Sequence, residues 1–230
     1  SLKPKKKSMF NQLKLNKIFV FSKYLNISNY NKFFKELNNV KPDIIFNFAS
    51  QALVSLSYSN PKENFDTNVI GIFNFLEILR KSKRNISVLI ATSDKCYRNS
   101  KNIKNIRFNE NSPLGGNDPY SASKAIQEIL SHSYNKTYFK NNNISLATVR
   151  AGNVIGGGDW ADMRLVPDFI KSVIKNKKLI VRYPNAVRPW QHILDLLNGY
   201  LILAESLYKR KRSFEGPWNF GPEKKGEVTV

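Results

Sequence analysis

The chain has 230 residues, 41% of them hydrophobic and 12% aromatic, enough to bury a core and too apolar for a wholly disordered basic chain. Its 37 Lys and Arg against 17 Asp and Glu give a net charge of +20, of which residues 1–41 carry +9 and the remainder +11; Lys and Asn recur throughout, so the excess reads as solvated surface and no nucleic-acid partner is expected. A single cysteine excludes an internal disulfide, Cys96 and two histidines are too few for structural zinc, and no run approaches the ~18 apolar residues of a membrane span, so the expected setting is cytoplasmic, with no metal and no membrane.

In chain order, apolar runs predict buried strands at Ile18 to Phe21, Asp43 to Ala49, Ile86 to Thr92 and Ile144 to Arg150. Between the second and third, Asn60 is placed to cap a helix and Pro61 to occupy its first position. In that helix Phe65, Val69, Ile72, Phe73, Leu76 and Leu79 recur at three and four residues, so one face can cover a sheet. Asp118 and Pro119 open a second helix in the same manner before the fourth strand. Strand, helix and strand in repetition predict an α/β fold, a doubly wound parallel sheet with right-handed crossovers. After Asn153 the pattern changes: a helix near Val166 to Lys175, a short strand near Leu179 to Arg182, and a helix from about Asp195 to Tyr208. The expected division is therefore 1–152 and 153–230.

Such sheets bind ligands beyond the carboxyl ends of their strands, here Ala49-Ser50-Gln51, Thr92-Ser93-Asp94-Lys95 and Arg150-Ala151-Gly152-Asn153. Tyr120 and Lys124 stand four apart at the start of a predicted helix and so share a face. A phenol is a poor base at neutral pH, and an adjacent ammonium favours its ionised form. An exposed helix surface would carry the same spacing. Ser93, Asp94 and Lys95 place a hydroxyl, an acid and a base at one strand tip, suited to proton transfer on a small substrate, although a solvated loop would read alike. Gly156 to Gly158 allow close approach of a ligand, and Arg164, Arg182 and Arg188 are candidates to hold a diphosphate. His192 follows Trp190 and is either a ligand contact or packed. His132 reads as structural or exposed, and Cys96 as a small buried hydrophobe.

These residues carry a resemblance. The segments PDIIFNFASQALVSLSYSNP, TNVIG, TSDKCY, LGGNDPYSASK, VRAGNVIGGGDWADMRLVPD, VRPWQHILDLLNGYL and WNFGP run in order from about residue 41 to 222. They are similar to the extended short-chain dehydrogenases/reductases, and most of all to the CDP-glucose 4,6-dehydratase family. TSDKCY, AGNVIGGGDW and RPWQH together mark that family; its dTDP-glucose relatives carry an acidic residue where this chain has Lys95.

The resemblance implies a Rossmann-like NAD-binding domain over 1–152, a smaller α/β nucleotide-sugar region over 153–230, and dimers, which are usual in the family. It also implies NAD-dependent dehydration of CDP-glucose to CDP-4-keto-6-deoxyglucose: transient oxidation at C4, elimination across C5 and C6, and hydride return to C6. Tyr120, assisted by Lys124, would take the C4 hydroxyl proton; Lys95 would be the base at C5, Asp94 the acid at C6, and Ser93 a hydrogen-bond partner of the C4 oxygen. Ala49, Ser50, Gln51, Asn68 and Thr92, with Tyr120 and Lys124, match cofactor contacts. Asn153, Arg164, Arg188 and His192 match substrate contacts.

The chain also departs from the pattern. No glycine precedes Gly71, so the glycine-rich turn that holds the cofactor pyrophosphate is missing, with its flanking strand and helix and the second strand. Asn26 and Asn29 stand where aspartates are usual, Ser55 replaces an arginine and Ser50 an alanine. The sequence reads as a fragment of a longer protein, or a decayed copy, lacking also the final helices. Two other readings stay open: another nucleotide-sugar dehydratase or epimerase, and a non-catalytic basic binding module.

Overall fold

The computed structural model describes residues 9–19, 21–99, 107–209, 212–223 and 227–230. In chain order its elements are α1 (Met9–Gln12), α2 (Tyr30–Val40), β1 (Ile44–Asn47), α3 (Val54–Ser59), α4 (Pro61–Phe65), α5 (Gly71–Lys81), β2 (Ile86–Ala91), α6 (Pro119–Tyr134), β3 (Ile144–Ala151), β4 (Asn153–Ile155), α7 (Leu165–Ile174), β5 (Val187–His192), α8 (Ile193–Tyr208), β6 (Gly216–Phe220) and β7 (Glu227–Thr229). They form two compact units. One comprises Leu25–Gly152 with Leu197–Phe220; the other comprises Asn153–Leu196, Gly221–Val230 and the residues up to Tyr24. Residues 197–220 thus return to the earlier part of the chain instead of staying with 153–196.

The larger unit is built on a parallel sheet in the order β1-β2-β3-β6. Five of the six residues of β2 are buried, as a central strand covered on both faces requires. Ile44 pairs with Ser87, Ile86 with Ile144 and Val149 with Trp218. The parallel pairs β1–β2 and β2–β3 are joined by the helical runs α3–α5 and α6. Ile72, Leu76 and Leu79 of α5 are buried with Val88 and Ile90 of β2 and Ile144 and Leu146 of β3 in one core cluster. Asn60 accepts from Glu63 N (3.1 Å) and Asp118 from Ser121 N (2.9 Å), so both helix starts are capped by the expected side chains. Asn29 caps α2, accepting from Lys32 N at 3.2 Å. At Gly199 in α8 a Cβ would stand 2.6 Å from Phe220 Cε1; glycine there lets the β6 aromatic ring lie against the helix, edge-on to Tyr200.

Three sequence expectations are corrected. Of the run Ile18 to Phe21, the described residues are not in a strand: Ile18 and Phe21 are 69% and 56% exposed, residue 20 lies outside the described residues, and no strand among the described residues pairs with the outer edge of β1. Leu179 to Arg182 is irregular, with Ile180 84% exposed. The strand of that region is β5, which pairs parallel with β4 and antiparallel with β7. Phe73 points to solvent while Phe75 fills the core, because within α5 the buried face runs through Ile72, Phe75, Leu76 and Leu79 and Phe73 lies beside it, and the run from Pro61 is not one regular helix. A π-helical turn, Asp66–Ile70, separates α4 from α5 and shifts the phase of the apolar face. No helix among the described residues is long and apolar enough to cross a membrane.

Candidate active site

β2 ends in a tight change of direction. Ser93 is extended and caps the 3-10 turn Asp94–Cys96, its Oγ accepting from Lys95 N at 3.2 Å while donating to Asp94 Oδ1 at 2.8 Å. Asp94 is half-buried and Lys95 exposed, and Cys96 is fully buried against Tyr97 and Ala125. Burial pushes the Cys96 thiol up to about 12, so it is inert hydrophobic filling. The first part of α6 packs on this turn, and Tyr120 and Lys124 belong to that helix. Gly116 precedes it where a Cβ would come within 2.4 Å of the Ala122 and Ser121 backbone, so the loop can seat on the helix only without a side chain.

Lys124 is 2% exposed. Its Nζ donates to Ala91 O and Gln127 Oε1, both at 3.2 Å, and lies 5.8 Å from the centroid of the Tyr120 ring. An ammonium has three donors, and two of those of Lys124 are taken among the described residues. Burial lowers the lysine to about 8, against a smaller upward pull from the Glu128 carboxylate. Because the folded chain gives up this proton before the unfolded chain does, the lysine adds stability as pH rises from about 8 towards its ordinary 10.5. The unfolding free energy of the native chain relative to Lys124→Met is therefore expected to rise by roughly 2 kcal/mol across that window. Urea titrations at a series of pH values measure it, and a level difference would contradict the burial of this amine.

Asn68, at the centre of the π-helical turn, is the hub of a second cluster. Its Oδ1 accepts from Gln51 N (2.8 Å) and Ser50 Oγ (2.9 Å), its Nδ2 donates to Gln51 O and Ser123 Oγ, and its carbonyl accepts from Gln127 Nε2 at 2.8 Å. The segment after β1 is thereby tied to α6, with Ala49 exposed and Gln51 buried. Thr92 Oγ1 donates to Glu128 Oε1 and to Val149 O, an inward-facing use of that hydroxyl. The structure thus gathers Ala49, Ser50, Gln51, Asn68, Thr92, Ser93, Asp94, Lys95, Tyr120 and Lys124 in one unit, around the carboxyl ends of β1 and β2.

The remaining candidates lie in the other unit. Asn153 opens β4 and pairs with Trp190 of β5. Arg164 forms an exposed ion pair with Asp159 at 2.7 Å, Arg188 Nη1 donates to Val187 O, and Arg182 Nη2 donates to Met163 O. His192 is exposed, its Nδ1 accepting from Leu194 N at 3.3 Å. Sequence reasoning missed Glu128 and Arg150, both buried beneath the Ser93 turn. The available signal was the spacing Tyr120, Lys124, Glu128, one residue per helical turn on a single face.

Known proteins match this chain in sequence and fold. The family model described as GDP-mannose 4,6 dehydratase matches residues 6–211. The CDP-glucose 4,6-dehydratase of Salmonella typhimurium is 41% identical over 228 residues, covering 97% of this chain and 63% of that protein. Among solved structures, the dTDP-glucose 4,6-dehydratase of Bacillus anthracis, in complex with NAD, superposes with a TM-score of 0.73 at 25% identity, covering 96% of this chain and 64% of that one. The UDP-N-acetylglucosamine 4-epimerase of Methanobrevibacter ruminantium shares the fold at a TM-score of 0.75 and 18% identity, over 90% and 62% of the two chains. The present chain spans under two thirds of each of these proteins. A sheet with the tyrosine and lysine helix beside its second strand tip, matched over nearly its whole length by that family model, has one assignment: the chain belongs to the GDP-mannose 4,6 dehydratase family.

Proposed function

We propose that this chain carries the proton-transfer machinery of a CDP-glucose 4,6-dehydratase, forming CDP-4-keto-6-deoxyglucose in a cytoplasmic, homodimeric enzyme. The observation that carries the proposal is α6, with Tyr120 and the buried Lys124, packed on the Ser93–Lys95 turn at the carboxyl end of β2. Similarity at 41% identity to a protein named for CDP-glucose, against 24–27% to those named for dTDP-glucose, favours the cytidine nucleotide.

The cofactor is NAD, which supplies hydride exchange with the sugar at C4 and C6. The donor set fits its nicotinamide end: the ammonium of Lys124 suits a ribose hydroxyl, and the Asn68 cluster orders the Ala49–Gln51 segment beside it. Residues 1–70 hold no glycine, so they contribute no glycine-rich pyrophosphate turn. The chain's own residues move the protons. Tyr120 takes the C4 hydroxyl proton, its phenolate favoured by the ammonium of Lys124. The resulting 4-ketone acidifies the C5 hydrogen, which Lys95 removes, and Asp94 gives a proton to the C6 hydroxyl as it leaves as water; on return of hydride to C6, Lys95 gives its proton back to C5. Ser93 holds the C4 oxygen and Asp94 together. Asn153, Arg164, Arg188 and His192 are assigned to the nucleotide sugar, the guanidinium groups to its diphosphate.

Incubation of the chain with CDP-glucose and NAD tests this. The expected product has lost one water and carries a 4-keto group, with no net reduction of NAD. Turnover of dTDP-glucose or UDP-glucose in preference to CDP-glucose overturns the substrate; epimerisation without loss of water overturns the reaction.

A further inference from the structure

The Ser93–Lys95 turn rests on an ion pair that the proton transfers do not use. Glu128 on α6 and Arg150 on β3 have side chains only 2% and 3% exposed, with Arg150 Nη2 2.7 Å from Glu128 Oε2. Each partner reaches one end of the turn. Glu128 Oε1 accepts the hydroxyl of Thr92, the residue before Ser93, and Oε2 also accepts that of Thr148 at 2.8 Å. Arg150 Nη1 donates at 2.8 Å to the hydroxyl of Tyr97, the first residue beyond the turn, and at 3.0 Å to Glu110 O. The Tyr97 hydroxyl donates in its own right to Asn219 Oδ1 of β6 at 2.6 Å. Desolvating two charges is costly, and well-packed apolar side chains usually stabilise a core at least as well. What this pair supplies that apolar residues would not is directional grip on both ends of one six-residue stretch, Thr92 to Tyr97.

We infer that Glu128 and Arg150 are positioning residues that clamp Thr92 and Tyr97, and so fix where Ser93, Asp94 and Lys95 present their side chains. The functional half rests on the proposed reading of that turn; the clamp itself does not. Without it the turn would still follow β2, but its ends would be free to part, and catalytic groups need fixed placement to act.

The chain contains its own reporter. Cys96, the only cysteine, lies inside the clamped stretch and is fully buried. Its rate of reaction with an aromatic disulfide reagent measures how often the stretch opens. Two mild variants cut the clamp from the turn without leaving a buried charge unpaired: Thr92→Val and Tyr97→Phe. Each is expected to raise the labelling rate of the native chain by about tenfold, the factor corresponding to one hydrogen bond to a charged group, independently of low urea. Tyr134→Phe removes a hydrogen bond from α6 to Glu77 of α5, on another part of the helix, and is expected to leave labelling unchanged. Unchanged labelling in both clamp variants overturns the inference, as does an equal rise in Tyr134→Phe or a rise that follows global unfolding in urea. With CDP-glucose, the opened variants are expected to lose kcat with KM unchanged; a level kcat in a variant whose thiol has opened overturns the positioning role. The thiol readout needs no turnover, so a native chain that dehydrates nothing while its variants open at Cys96 refutes the proposed function and leaves the clamp standing.

Discussion

Tyr120→Phe is expected to lower turnover of CDP-glucose by about 10²–10⁴-fold, the usual span for a lost general acid or base, while nucleotide-sugar binding and the melting temperature stay near those of the native chain. The substitution removes one oxygen and keeps the ring, which is 8% exposed at the start of α6. Packing is therefore retained, and so is the position of Lys124, whose ammonium is fixed by Ala91 O and Gln127 Oε1 and not by the phenol. The loss belongs to kcat because the phenol acts on the C4 proton and not on the nucleotide. Steady-state kinetics with a binding isotherm for the nucleotide sugar separate the two. Full turnover by the variant would remove Tyr120 from the mechanism.

Glu128→Ala has the largest expected effect on stability. It leaves the Arg150 guanidinium buried without its counter-charge, and Arg150 Nε already has no hydrogen-bond partner among the described residues. Removing one partner of a buried pair costs about 3–5 kcal/mol, equivalent in a chain of this size to a fall of roughly 10 °C in the unfolding midpoint. Thr148 loses its acceptor as well, and Thr92 keeps only the longer bond to Val149 O. Replacing both charges together, as Glu128→Leu with Arg150→Met, is expected to recover most of that loss, since no unpaired charge remains. Thermal unfolding followed by circular dichroism tests both variants. A midpoint within about 2 °C of the native one for Glu128→Ala would mean that the carboxylate is not holding the arginine.

The sheet could be read from the sequence wherever an apolar run also finds neighbours. Ile86 to Thr92 and Ile144 to Arg150 are such runs, and they pair along β2 and β3. Ile18, Phe19 and Phe21 have the same apolar character but no strand partner among the described residues, and they stay exposed. The opposite error is β5, Val187 to His192, whose Arg, Pro, Gln and His hide a strand that exists because β4 and β7 flank it. Pairing, more than composition, decides such short segments. Tyr120 and Lys124 were readable because one helical turn separates them. Asn68 was visible only through resemblance, since its bonds run to Gln51 after β1 and to Ser123 and Gln127 of α6, all distant in sequence. Glu128 shares a face with Lys124, but Arg150 is 22 positions further on, a distance no local pattern covers.

The outer side of β1 sets a handling property. Its outward-facing backbone donors and acceptors are taken up by no strand among the described residues, and Phe48 just beyond is 51% exposed. A bare margin of this kind is a template for intermolecular aggregation. The +20 charge opposes it by mutual repulsion, and dissolved electrolyte weakens that repulsion within about 10 Å at 0.1 M. Concentrated preparations of the chain should therefore stay clear in dilute buffer and turn cloudy as sodium chloride is added.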